Sequence, residues 1–385
     1  MSATGGILPG GTLPGGTLDA GNLPGGKLSG GEMSGGELSG GILCAGTVVV
    51  DVNKVIDRYP ARDHLASILD VSTCTGGPGL NLAVDFARLG TRLPVAIVGV
   101  VGADLHGSVI RDHCAAMGID ASGLVTSERE RTSFTDSMVE QEGGRRTFFH
   151  HVGANADLTA DLIAAQVDRL RPRLVHLGSP GLHPLMDATD SAGDSGWVAA
   201  LAAARAAGAA TNLELVDLPG ERQREVALPC LPLLDTIVVN ELEAATLTEI
   251  DPPESGVGGS IDWAAMETIA AGLVARGIRD LAVVHFPAGA VAASHDGQTW
   301  RQGSVRMPRD RIRGTTGAGD AFAAGVLLAR TEGRPVPECL RLGVAAAAAC
   351  LTELDTTAGV GPAAEVLAEA ERLGFHPDAT PLRTQ

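Results

Sequence analysis

The sequence predicts a three-layer α/β/α domain with a mostly parallel sheet and a small β lid. Three observations carry this. Short apolar runs of strand length alternate with Ala-rich helical stretches through most of the chain. Such alternation builds a parallel sheet covered on both faces. An early hairpin pattern interrupts it, with alternating strands at Ser133–Val139 and Arg145–His151 and a Gly143-Gly144 turn. Finally, aromatics make up only 3% of the residues, so the apolar surface is mainly Ala, Val and Leu, which suits buried parallel strands under small-residue helices.

The elements follow in order. Residues 1–43 are expected to form an N-terminal arm, and residues 44–385 the folded domain. From Ile7 the chain reads ILPGG, TLPGG, TLDAG, NLPGG, KLSGG, EMSGG, ELSGG, ILCAG, with Leu or Met second in every unit. Two readings stand side by side: a glycine-rich pentapeptide-like repeat packed on another surface, or a flexible Gly-rich arm. GTVVVDV, from Gly46, reads as a buried strand. Residues 52–75 and 131–151 are expected to form the lid. Asn81–Leu89 reads as a helix stopped by Gly90. PVAIVGVVG reads as a strand and Ser108–Met117 as a helix. Leu174–Leu177, Ala210–Leu215, Thr236–Val239 and Leu281–His285 read as strands. Trp197–Ala207, Glu241–Thr246 and Trp263–Ala275 read as helices.

Charge and composition exclude several functions. The formal net charge is −17, which repels nucleic-acid phosphates and anionic membrane surfaces. No apolar run approaches the roughly 20 residues that span a bilayer. The N-terminus lacks a basic segment followed by an apolar one, so a cytoplasmic location is expected. The six cysteines, at 44, 74, 114, 230, 339 and 350, form no CxxC pair, and reduced buried thiols are expected. Lys27 and Lys54 are the only lysines, and neither lies in a P-loop or a VAIK-like strand. A phosphate-handling site in this chain must therefore use backbone amides, arginine and a metal.

The segment that carries chemistry is RGTTGAGDAFAAGVLLA, Arg313–Ala329. A turn of small residues enters a helix. The amides of Gly317, Ala318 and Gly319 then lie at a helix N-terminus and can hold anionic oxygens. Asp320 beside them can accept the proton of an attacking hydroxyl. A Gly-rich turn with an acidic first turn is common, so this motif gains meaning from its companions.

Four separated motifs resemble the ribokinase-like (PfkB) carbohydrate kinases over about residues 44–370. They are Thr315–Gly325, the Gly76-Gly77-Pro78-Gly79-Leu80-Asn81 turn, Asn240-Glu241-Leu242-Glu243, and Gly153–Ala156. The resemblance implies a ribokinase-like fold and transfer of the ATP γ-phosphoryl to a hydroxyl of a sugar or sugar-like substrate. It implies Asp320 as base and Gly317, Ala318 and Gly319 as anion hole. It implies Asp51, at the end of the first strand, Gly77 and Asn81 as substrate ligands. Asn240, Glu243, Thr315 and Gly289 become nucleotide neighbours, with Glu243 holding Mg²⁺ through water. The expected cofactors are ATP and Mg²⁺, and a homodimer is expected because lid strands in this family often pair between subunits.

The chain also departs from the pattern. Gly314 stands where the family usually has an aspartate of a monovalent-cation site, so the resemblance does not extend to potassium activation. Pro287-Ala288-Gly289-Ala290 replaces the usual Gly-x-x-Gly turn. Pro78 stands where a lysine is common, and Gly178 where many ribokinases have an acidic residue before Ser179-Pro180. A nucleoside kinase, with Phe134, Phe148 and Phe149 as the available aromatics, is an alternative. So is a sugar-binding regulator without turnover. Arg145 and Arg146 flank the lid turn, where they could approach phosphate, with solvated turn residues the preferred reading, and His150-His151 read as strand histidines.

Overall fold

The computed structural model describes residues 40–142, 145–253, 256 and 261–377. Residues 1–39, which hold most of the repeat, and the Gly143-Gly144 turn lie outside them. In chain order, Ile42–Gly46 is β1, Val49–Ile56 β2, Ile68–Gly76 β3 and Pro78–Arg88 α1. Val95–Gly102 is β4, Leu105–Ala116 α2, Asp120–Ser127 β5, Phe134–Glu140 β6 and Arg146–His151 β7. Ala160–Leu170 is α3, Leu174–Gly178 β8, Pro184–Asp187 α4, Gly196–Ala206 α5, Ala210–Glu214 β9 and Gly220–Ala227 α6. Thr236–Asn240 is β10, Glu241–Thr248 α7, Trp263–Ala275 α8, Leu281–Phe286 β11, Gly289–Ser294 β12 and Thr299–Gly303 β13. Ala318–Thr331, Val336–Cys350 and Ala363–Leu373 are α9, α10 and α11.

The main sheet has the order β13-β12-β11-β10-β9-β8-β1-β4-β5. It is parallel except for the antiparallel β11–β12 and β12–β13 pairs. Successive strand side chains point to opposite faces, and the core divides accordingly. Ile42, Cys44, Leu281 and Val283 face a cluster with residues of α1, α9 and α10. Leu43, Ala45, Ala282 and Val284 face a second cluster with α3, α5, α7 and α8. This is the three-layer α/β/α arrangement expected. Chain connections run to opposite sides of β1 and β8, and in such sheets the crevice at the strands' carboxyl ends binds ligands.

The lid is a separate four-stranded sheet, β3-β2-β6-β7. β2 pairs antiparallel with β3 and parallel with β6, and β6–β7 is the expected hairpin. Its base is tied to the core by side chains. Asp104 accepts from the Thr132 amide and hydroxyl, at 2.8 and 2.6 Å. Asn155, from the Gly153–Ala156 motif, accepts from the Val48 amide at 3.3 Å. That motif therefore anchors the lid.

Two expectations are corrected. The last repeat unit, ILCAG, is not arm. It is β1, a fully buried strand between β4 and β8, so the 43/44 boundary falls inside a strand of the main sheet. GTVVVDV is not the first core strand either. The chain leaves the core at Gly46, and Val49 onward is lid, which places Asp51 on the lid. The hydrophobic run spans both elements, so periodicity alone cannot show where it changes sheets. All six cysteines are unpaired, five of them buried.

Asp85, on the buried face of α1, has neither carboxylate oxygen hydrogen-bonded. Burial, then the charge of Asp320, holds its carboxyl well above the usual range. An acid kept neutral in a core costs stability as the unfolded chain ionises with rising pH. Asp85→Leu is therefore expected to stabilise the fold by about 1–3 kcal/mol at pH 8. The gain should shrink as pH falls toward about 4, where the unfolded carboxyl keeps its proton too. Urea melts at the two pH values measure this, and a less stable variant at pH 8 would contradict it.

Candidate active site

The turn before α9 is set by its backbone. Arg313 N–H donates to the Leu351 carbonyl at 2.8 Å. Gly317 has φ of +84°, and a side chain there would strike the Thr356 carbonyl, so only glycine fits. No side chain caps α9. Apart from that of Ala318, its leading amides are thus left for an anion, which the helix dipole also favours. α9 is held in place by close packing on α10. A Cβ at Gly325 would meet the Leu342 carbonyl at 2.8 Å, and one at Gly343 would meet Phe322. His285, at the end of β11, lies under the turn, its Cε1 3.4 Å from where a Cβ of Gly319 would be. Burial drops its pKa to about 4, so the ring is neutral.

Asp320 projects from the first turn of α9. Asn81 Nδ2 donates to its Oδ2 at 2.6 Å, and Thr356 Oγ1 donates to Asn81 Oδ1 at 3.2 Å. The Asn81 amide is thereby oriented with its donors on the carboxylate. Glu214, at the end of β9, lies within reach of the Asp320 charge. Burial, then that charge, keeps the Glu214 carboxyl well above its ordinary range, so it is held protonated. Its other neighbour is His176, with Nε2 to Oε2 at 3.4 Å. Burial lowers His176 to about 4 and Asn212 holds its Nδ1 at 2.7 Å. That contact joins two neutral groups and is no ion pair.

The lid supplies the opposing wall. Asp51 on β2 is the register neighbour of Thr135 on β6, and Thr135 Oγ1 lies 3.1 Å from His150 Nδ1. A side chain on Gly76 would collide with the Asp51 carboxylate, so the first glycine of the Gly76–Asn81 turn makes room for it. Gly77 begins α1 at φ +92° against the Thr47 carbonyl, where a side chain would clash. Burial raises Asp51 to about 6, opposed by Thr135 and aided by the charges of Asp320 and Asp355.

The other predicted residues divide. Asn240 and Glu243 form a capping box on α7: Asn240 Oδ1 accepts the Leu242 and Glu243 amides at 2.9 and 2.8 Å, and Glu243 Oε2 accepts the Asn240 amide at 3.0 Å. Glu243 is still electrostatically coupled to Asp320 and Asp217, and burial pushes it up to about 7. Thr315 is exposed in the turn, and its carbonyl accepts the Ala318 amide at 3.3 Å. Gly289 is absorbed by packing: it is buried in β12 opposite Phe286, where a Cβ would meet Trp263 at 2.8 Å.

A cavity of about 200 Å³ opens between α10, α11 and the segment after β13, lined by Val305, Met307, Ala345 and Val366 and by the polar Arg311 and Glu369. For a divalent metal, no cluster of three His, Cys, Asp or Glu ligands exists among the described residues. The donors present suit a hydrated ion touched through water, the mode Mg²⁺ prefers.

The chain belongs to the pfkB family of carbohydrate kinases, whose model matches residues 40–362. It is a phosphotransferase of that family. It is 26% identical to a ribokinase of Arabidopsis thaliana over 310 residues, covering 80% of this chain and 74% of that protein. It is 29% identical to an ATP-dependent ribose-1-phosphate kinase of Halopiger xanaduensis over 284 residues, covering 74% of this chain and 82% of the other. The solved structure of Arabidopsis thaliana ribokinase complexed with ribose and ATP superposes with a TM-score of 0.70 at 21% identity, covering 86% and 99% of the two chains.

Sequence reasoning had not singled out Thr135, Glu214, His176 or Thr356. Glu214 carried one signal: a carboxylate ending a short buried strand. The coupling of Asp51 to Asp320 is directly measurable. A carbon-13 NMR titration should place the Asp51 carboxyl near pH 6. Asp320→Asn should move it down, because one of the charges that raises it disappears. An unmoved value would separate the two groups.

Proposed function

We propose that this chain transfers the γ-phosphoryl of ATP to a hydroxyl of a sugar or sugar-like acceptor lying between the lid and Asp320. The observation that carries the reading is the joint position of Asp320 beside an uncapped helix N-terminus and against Asn81. Asp320 takes the proton of the attacking hydroxyl. The amides of Gly317, Ala318 and Gly319 receive the oxygens of the transferred group. Asn81 and Asp51 bind and orient acceptor hydroxyls, while the lid excludes water. Bound Mg²⁺ would neutralise phosphate charge, with Glu243 and Asn240 meeting its water shell. The lid groups facing Asp51 are polar, Thr135 and His150, which favours a polyol over a nucleobase. Phe148 and Phe149 are instead 56% and 51% exposed, too open to grip a base.

Asp320→Asn is expected to cut turnover by about 10²–10⁴-fold, with ATP affinity nearly unchanged by calorimetry. An ATP-consumption assay over a panel of sugars and nucleosides measures it. Turnover retained in the variant would remove Asp320 as base, and ATP binding without turnover on any acceptor would favour a regulator.

The same reading extends to assembly. Leu65, Ile68, Leu69, Val71, Phe148 and Phe149 are exposed on or beside the lid strands. Apolar groups gathered this way suit a partner surface, and a second copy of the lid is the proposed one. Light scattering should give twice the chain mass of 39.2 kDa, and Leu69→Asp should return the monomer. A wild-type monomer at high concentration would refute the dimer.

A further inference from the structure

Arg146 opens β7 on the lid, yet its guanidinium reaches the turn before α9, where Nη1 donates to the Thr316 hydroxyl. A second observation concerns the same guanidinium. A Cβ added to Gly314 would lie 3.1 Å from Arg146 Nη2 and 3.0 Å from the Glu353 carbonyl oxygen. Gly314 thus leaves open the space the guanidinium enters, and any larger side chain would crowd it. A third is electrostatic. Among the described residues Arg146 forms no ion pair, whereas Arg313, the neighbouring arginine of the same turn, is paired with Glu353 at 3.2 Å. Asp51, Glu214 and Glu243 each feel the charge of Asp320, and Asp51 that of Asp355 as well. An unneutralised cation beside an uncapped helix start, in that surrounding, is placed for an anionic ligand.

We propose that Arg146 is the lid-borne cation of the anion site: with the lid down it holds the Thr315–Gly317 turn and places a fixed positive charge beside its amides, so that nucleotide binding and phosphoryl transfer need no bound monovalent cation. It acts as a positioning residue, through Thr316 and the turn. The consequence is that the anion hole reaches full charge only when the lid is closed, which ties water exclusion to phosphate stabilisation. Arginine suits the task because its guanidinium stays charged at any working pH.

The inference rests on the phosphotransfer reading, so the test separates the two. ATP binding to the full chain is measured by calorimetry in potassium and in tetramethylammonium buffers of equal ionic strength, for wild type, Arg146→Gln and Arg146→Lys. Hydrogen exchange of the β6 and β7 amides is followed in parallel. The expected result is wild-type affinity that differs by less than about threefold between the cations, and roughly tenfold or weaker binding in Arg146→Gln with faster lid exchange. Lysine should recover part of the binding. Where an acceptor is turned over, kcat of Arg146→Gln should fall by roughly 10- to 100-fold with acceptor KM nearly constant, the mark of a group acting in the transition state. The pair Gly314→Asp with Arg146→Gln should gain affinity on adding potassium. Wild-type binding or turnover raised more than threefold by potassium overturns the proposal. So does Arg146→Gln with wild-type ATP affinity and exchange. If wild type binds ATP through Arg146 but consumes none with any acceptor, the kinase reading fails and the role of Arg146 stands.

Discussion

The constraint on which the site depends is electrostatic. A chain of net charge −17 gathers several carboxyls in one crevice and still must attract polyphosphate. Neither lysine helps. Lys27 lies outside the described residues, and Lys54 is spent on Asp136 in the lid at 2.5 Å. The attraction comes instead from the uncapped N-terminus of α9 and from arginine. Crowding also lowers the effective negative charge, because burial and mutual repulsion keep Glu214 and Asp85 protonated. Asp320 therefore lies beside neutral acids rather than beside a row of anions.

Positioning follows from packing. Gly325 and Gly343 let α9 and α10 approach until backbone meets backbone, and this aims the α9 start at the ends of β10 and β11. Thr356, in the loop after α10, then does two jobs. Its carbonyl enforces glycine at 317 and its hydroxyl turns Asn81 toward Asp320. Lid and core meet the same turn through different groups, Asp51 by charge and Arg146 by contact. Lid position is thereby felt at Asp320 without any change in the core.

The fold was largely legible because strand and helix periods alternate cleanly from Leu174 onward, and α8 is found where Trp263–Ala275 was read. The passage from core to lid was not. Ile42 to Val52 is one apolar run, and only pairing partners reveal that β1 joins the main sheet while β2 leaves it. The GAGD turn was legible because its chemistry is local. Glu214, His176 and Thr135 were not, because each matters through a contact more than 30 residues away in sequence; Arg146 was legible only as a turn arginine, not in its contact with Thr316. Asn240 and Glu243 show the converse: a motif matched residue by residue satisfies a helix cap as fully as it would serve a ligand.

Gly178 shows how a missing residue can be replaced in space. In the resemblance, Gly178 stands where many ribokinases have an acidic side chain. Gly178 pairs directly with Glu214 on the adjacent parallel strand, and a Cβ on Gly178 would lie 3.7 Å from that of Glu214. In a parallel sheet, register neighbours point to the same face. A carboxyl moved one strand over, by about 5 Å, therefore still faces the crevice from nearly the same place. It arrives one strand closer to β10, with its carboxyl in reach of the Asp320 charge. This layer of the sheet therefore carries an acidic side chain although position 178 has none.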